Sequence, residues 1–220
     1  MKIRRLMGAI AYGCAAAFAA FVAAEPSLAQ EDAAKGIEQY RKMMAEDPFA
    51  NPGNLYIDNG EALWKEKRGP NNVSLEGCDL GKGPGVLEGA FAELPRYFAD
   101  ADKVMDLESR IIWCMEKLQG LDTGPVKKKA FSKTGEGGSE MEFLASYAGS
   151  LSNGMTFKPQ LEHPKEKDAY AVGEKLFFMR AGPHDFSCET CHGVSGHRIR
   201  LQDLPDLSKP GEDAKKAVPT

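Results

Sequence analysis

The chain repeats itself once, and that repeat limits what it can fold into. GEALWKEKRGPNNVSLEGCDLG at 60–81 matches GEKLFFMRAGPHDFSCETCHG at 173–193 with a constant offset of 113 residues. Gly60, Glu61, Leu63, Gly69, Pro70, Ser74, Glu76 and Cys78 fall on Gly173, Glu174, Leu176, Gly182, Pro183, Ser187, Glu189 and Cys191. Similarity at one fixed period implies two copies of one unit, and therefore two related domains. In each copy a short helical pattern carries its apolar residues on one side, Leu63 and Trp64 or Leu176, Phe177 and Phe178. A Gly-Pro pair then breaks it.

Between the copies, LESRIIWCMEKL (107–118) places Leu107, Ile111, Cys114 and Leu118 on one face of an amphipathic helix. A second helical stretch, EMEFLASYAGSL (140–151), follows the glycine-rich loop KTGEGG (133–138). KPQLEHPKEKD (158–168) is polar and contains prolines, and reads as a linker. The expected organisation is a first domain at 30–157, the linker at 158–168 and a second domain at 169–220. No alternating strand pattern stands out, so the expected fold class is all-α.

The N-terminus reads MKIRRLMGAIAYGCAAAFAAFVAAEPSLAQ, with Lys2, Arg4 and Arg5 ahead of an apolar run and the small-residue pattern Ser27-Leu28-Ala29. This is the layout of a secretory signal peptide, residues 1–29, cut after Ala29. It implies export to the periplasm with no retained membrane anchor, and Cys14 leaves with the leader. The whole chain has a formal net charge of −4, and losing the leader removes more basic than acidic residues. An acidic protein is a poor partner for nucleic acid. Cys78, Cys114, Cys188 and Cys191 remain, and in an oxidising compartment each needs a partner or a ligand.

The two copies diverge where the chemistry is concentrated. Cys188, Cys191 and His192 of the second copy correspond to Leu75, Cys78 and Asp79 of the first. C-x-x-C-H is the spacing of covalent haem c attachment: two thiols reach the two vinyl groups of one porphyrin, and the adjacent imidazole reaches the iron. Cys188 and Cys191 are the expected thioether residues, and His192 the proximal iron ligand. A zinc site would call for further ligands, with only His184 and His197 near, and a redox dithiol would call for a βαβ context. For the sixth iron position, Met179, His184 and His197 are visible, and each also reads as an ordinary surface or pocket residue.

Leu75 and Asp79 remove one thioether and the iron ligand, so the first copy is expected to hold no haem. Cys78 is then left over, and its economical partner is Cys114, on the buried side of its helix. Closing that loop would contribute about 3 to 4 kcal/mol. Two buried free thiols remain the other possibility. If Cys114 stands where a distal sulfur ligand once stood, the same spacing in the second copy falls beyond Thr220.

These residues resemble the SoxA family, the haem subunits of the periplasmic SoxAX complexes of sulfur-oxidising bacteria. The resemblance rests on the paired cytochrome c-like copies, the degenerate first site with Cys78 and Cys114, the R-x-x-x-C run from Arg110 to Cys114, and FFMRAGPHDFSCETCHG followed by GHRIRLQDLPDL. It implies an L-cysteine S-thiosulfotransferase with one covalent haem c. It also implies SoxX as partner subunit, thiosulfate and the SoxYZ carrier protein as substrates, and a cytochrome c as electron acceptor. The family's catalytic group is a cysteine in a C-terminal helix, and no cysteine follows His192 among these 220 residues. The tail GEDAKKAVPT reads as a loop. The expectation is therefore a chain shortened at its C-terminus, with the catalytic cysteine beyond Thr220 and an open haem site. A plain periplasmic electron-carrier cytochrome is the competing function, and an exported zinc or scaffold protein a third.

Overall fold

Each stretch of the repeat folds by the same local rules, and the structure is a computed structural model in which that repetition is visible in the backbone. It describes residues 28–47, 49, 51–133, 137–194, 197–199, 202–204 and 206–208. The segment read as a leader, residues 1–29, lies outside the described residues except for its last two positions. The chain divides into a unit at 1–47 and a unit at 48–220. Helix α1 (Leu28–Glu46) belongs to the first.

In the second unit, α2 (Gly53–Lys65) ends where Glu66 turns extended, at φ −67° and ψ 129°. A turn follows, closed by the Arg68–Val73 bridge, with Gly69 at φ 70° and Asn72 at φ 50°. Ser74 then leads into a 3₁₀ turn at Leu75–Gly77. The strands β1 (Arg96–Phe98) and β2 (Lys103–Met105) form an antiparallel hairpin that pairs Tyr97 with Val104. Helix α3 (Leu107–Cys114) starts on the Asp106 side chain, which accepts from the Ser109 amide at 2.9 Å, and runs into a π-helical turn, Met115–Gln119. A short α4 (Gly124–Lys128) precedes α5 (Glu140–Ser150), whose start is a reciprocal cap between Ser139 and Glu142.

Helix α6 (Pro164–Phe178) then restates α2. Its end residue Met179 turns extended at φ −71° and ψ 117°, Ala181 bridges Phe186, and Gly182 and Asp185 take φ 79° and 51°. Helix α7 (Cys188–His192) begins at the counterpart of Leu75. Left-handed Gly69 and Gly182, like Asn72 and Asp185, sit one repeat offset apart, and glycine and Asn/Asp are the residues that tolerate that conformation best. The hairpin β3 (Arg198–Ile199) and β4 (Gln202–Asp203) ends the described fold.

The core belongs to the first copy. Trp64, Leu75, Ile111, Cys114, Met115 and Leu144 are buried together, where α2, α3 and α5 meet. α2 and α5 cross at Gly60, where an added Cβ would sit 2.0 Å from the Phe143 carbonyl oxygen and 2.7 Å from the Tyr147 Cβ. Only a residue without a side chain permits that approach.

Two expectations change. The all-α class becomes a helix-rich fold with two small antiparallel hairpins, whose strands of two or three residues are too short to show an alternating pattern. The segment read as linker to residue 168 is helical from Pro164. His163 accepts from the Lys165 amide through Nδ1, and Glu166 reaches back to the His163 amide. Proline at N1 and glutamate at N3 are start signals that the polar, prolyl composition concealed.

Candidate functional site

Two cysteines three apart share a helix face, and α7 supplies the helix. Ser187 caps it: its hydroxyl accepts from the Thr190 amide at 3.2 Å, and Thr190 Oγ1 accepts from the Ser187 amide at 3.0 Å. Cys188 opens the helix and Cys191 follows almost one turn later, so the two thiols lie on neighbouring positions of one side. Both are free thiols, Cys188 exposed and Cys191 partly buried. The backbone after them is tied down, with the Gly193 amide donating to Glu189 O at 2.7 Å and the Leu207 amide donating to His192 O at 2.7 Å.

The surroundings are apolar and open. Leu176, Phe178, Met179, Phe186 and Val194 are each more than half exposed. The repeat supplies the comparison: Leu75 and Cys78 are buried, while their counterparts Cys188 and Cys191 are exposed and partly exposed. Gly60 is pressed by α5, whereas its counterpart Gly173 has nothing within 4 Å. Beside α6 runs an apolar groove of about 380 Å³, lined among others by Pro95, Val104, Tyr170, Gly173, Phe177 and Leu207.

A flat apolar macrocycle held by two thioethers needs two reduced thiols at this spacing, an imidazole beside them and apolar side chains to cover it. The donor set here and its exposed apolar margin fit that group. Met179 ends α6, His184 lies in the 181–186 turn with its ring 5.8 Å from Phe186, and His197 is exposed. Among the described residues no three His, Cys, Asp or Glu side chains cluster as a metal site would require.

In the first copy the same positions do different work. Cys78 and Cys114 are joined as a disulfide across the buried core. Asp79, in the place of His192, accepts from the amides of Gly81 and Gly83 at 2.6 and 2.8 Å and so organises a loop. Arg110, buried one turn before Cys114, donates to Asp79 O at 2.7 Å and makes two 2.8 Å bonds to the carboxylate of Asp100. Its guanidinium lies between the rings of Phe98 and Trp113, 4.1 and 4.3 Å from their centroids. The family resemblance singled out Arg110 with Cys114, and nothing in the sequence signalled Asp100 or the two aromatic rings.

The family model described as SoxA/TsdA, cytochrome c domain, matches residues 59–157, the copy without C-x-x-C-H. The protein named L-cysteine S-thiosulfotransferase subunit SoxA from Hydrogenophilus thermoluteolus is 46% identical over 211 residues, covering 94% of this chain and 74% of that relative. One of the same name from Hydrogenobacter thermophilus is 36% identical over 181 residues, 82% of this chain and 65% of that one. The crystal structure of SoxXA from P. pantotrophus shares the fold, with a TM-score of 0.58 at 24% identity, over 77% of this chain and 60% of that chain. The chain thus spans 74% and 65% of the length of these two curated relatives. Among the described residues no helix is long and apolar enough to cross a membrane. With nearly half its residues shared with one such protein along almost its whole length, the chain belongs to the SoxA family of L-cysteine S-thiosulfotransferase subunits.

Proposed function

We propose that this chain is the haem c subunit of an exported SoxAX complex that joins thiosulfate to a cysteine of the SoxYZ carrier. The observation that carries the reading is the pair of free thiols, Cys188 and Cys191, almost one turn apart on α7 with His192 next to them. Cys188 and Cys191 would hold the haem through thioethers, each made by adding S–H across one vinyl group, and His192 would supply an imidazole nitrogen to the iron. When bound, the haem supplies an exit for electrons towards a cytochrome c.

The conjugation forms one sulfur–sulfur bond between the thiosulfate sulfane and the carrier cysteine. It releases the thiol proton and two electrons. In this reading residues 30–157 are a haem-less cytochrome c-like domain, in which the Cys78–Cys114 disulfide and Arg110 are buried in the core. Residues 169–220, which begin within α6, would carry the haem. A cysteine nucleophile is not among residues 193–220, so the sulfur chemistry is assigned to the assembled complex and not to a named residue of this stretch.

The test has two arms. A peroxidase-type haem stain on a denaturing gel should be positive for the protein and negative for a Cys188→Ala, Cys191→Ala double variant. The protein combined with SoxX should then conjugate thiosulfate to SoxYZ with reduction of cytochrome c. A stained protein whose complex leaves SoxYZ unmodified would make it an electron carrier, and an unstained one would remove the haem assignment altogether.

A further inference from the structure

The strongest non-local tie on α6 is a buried carboxylate. Glu166 is only 6% exposed. Its Oε1 accepts from the Tyr97 amide at 2.7 Å, and its Oε2 accepts from the amides of Glu162 and His163 at 3.0 and 2.9 Å. The last two are N–H groups at the start of α6, which the helix cannot satisfy itself. The first lies in the middle of β1, and it reaches Glu166 instead of the paired strand β2. One carboxylate therefore closes both a helix start and an open sheet edge.

The contacts around it reinforce the same joint. The His163 imidazole lies flat on the Tyr97 ring, with centroids 3.6 Å apart and 3° between planes. Lys165 Nζ reaches Asp102 Oδ1 at 2.6 Å and Asp102 O at 2.9 Å, at the turn of the hairpin. We propose that Glu166 is a positioning residue that seats α6, and with it the Cys188–His192 helix, on the β1–β2 hairpin of the first copy. The proposal needs no bound haem and does not rest on the functional reading.

The geometry favours the ionised form. Three N–H donors converge on its two oxygens, and a proton on the carboxyl would weaken all three of those bonds. Burial by itself would raise the Glu166 pKa; the amides of Tyr97, His163 and Glu162, helped by the charge of Arg96, outweigh it and hold the group below the usual carboxylate range. The joint is therefore made at neutral pH and given up as pH falls through that depressed value. Around Glu166 the hairpin brings Arg96 and Tyr97, its own side brings Glu162 and His163, Tyr170 and Glu174 line the same groove, and the Lys165–Asp102 ion pair ties the helix to the hairpin turn.

The experiment follows hydrogen exchange of the Tyr97 amide in the full chain by NMR with ¹⁵N-tyrosine, using the Tyr56 and Tyr147 amides of the first copy as internal references. Glu166→Gln replaces an acceptor with a donor and should speed Tyr97 exchange by about tenfold or more, leaving the references unchanged. Glu166→Asp keeps the charge and should recover part of the protection. In the unaltered protein the Tyr97 amide shift should follow an acid titration that Glu166→Gln abolishes. Equal Tyr97 protection in Glu166→Gln would overturn the proposal. So would an acid titration of the Tyr97 amide that persists in the Gln variant, or, if that variant fails to fold, the absence of such a titration in the unaltered protein.

Discussion

Gly60 and Gly173 are the same residue at the same place in two copies of one helix, yet alanine should act on them in opposite directions. At Gly60 the new Cβ would lie 2.0 Å from Phe143 O and 2.7 Å from both the Phe143 carbonyl carbon and the Tyr147 Cβ. Two of those three atoms are backbone, so relief means moving α5 away from α2 and opening the core around Trp64 and Leu144. Overpacking of this kind costs about 3 kcal/mol, and the better helix propensity of alanine returns about 1, leaving a net loss of about 2 kcal/mol. At Gly173 nothing lies within 4 Å, so only the propensity acts. Alanine there should stabilise by up to about 1 kcal/mol. Urea unfolding followed by far-ultraviolet circular dichroism reads both. A Gly60→Ala variant as stable as the parent would refute the crossing of α2 and α5 at this residue. A loss of more than about 1 kcal/mol in Gly173→Ala would mean that a helix covers that face of α6.

Three further outcomes follow from the first copy. Replacing Cys78 and Cys114 together by serine opens a bridge spanning 36 residues and should cost about 3 to 4 kcal/mol, read as a shift of the urea midpoint that reductant reproduces in the parent. Arg110→Lys loses the paired bonds to Asp100 and the flat contact between Phe98 and Trp113, and should cost about 2 kcal/mol despite keeping the charge. Lys165 and the Tyr97 hydroxyl hold the Asp102 pKa down, and Lys127 and Thr123 do the same for Glu116. Depressed carboxylates contribute stability that is present above their unfolded pKa and lost as pH falls through the folded one, so the urea midpoint should be level from neutral to about pH 5 and fall below about pH 4. Lys165→Met with Lys127→Met should shrink that acid slope, measured in the same titration.

Much of the candidate site is a matter of local sequence. Cys188, Cys191 and His192 lie within five residues, and the turn that presents them needs only Gly182, Asp185 and Ser187 in their places. The same holds for the repeat itself, because helix ends, left-handed turns and caps are decided by a few neighbouring residues. The start of α6 is also written locally, as proline followed by glutamate behind His163, beneath a polar, prolyl composition that equally suits a linker.

The sequence by itself determined the two-copy plan, the 113-residue register and the thiol and imidazole triplet, and it offered Cys78 and Cys114 as a candidate pair that the structure joins. Tertiary structure alone decided which copy has a closed core, what surrounds Arg110, where the β1 edge goes and how α6 is seated. Arg110 meets Asp79 across 31 residues, and Glu166 meets Tyr97 across 69. Periodicity carries no information about such partners, since any carboxylate or ring of suitable size satisfies the pattern and only the folded chain brings one particular atom within bonding distance.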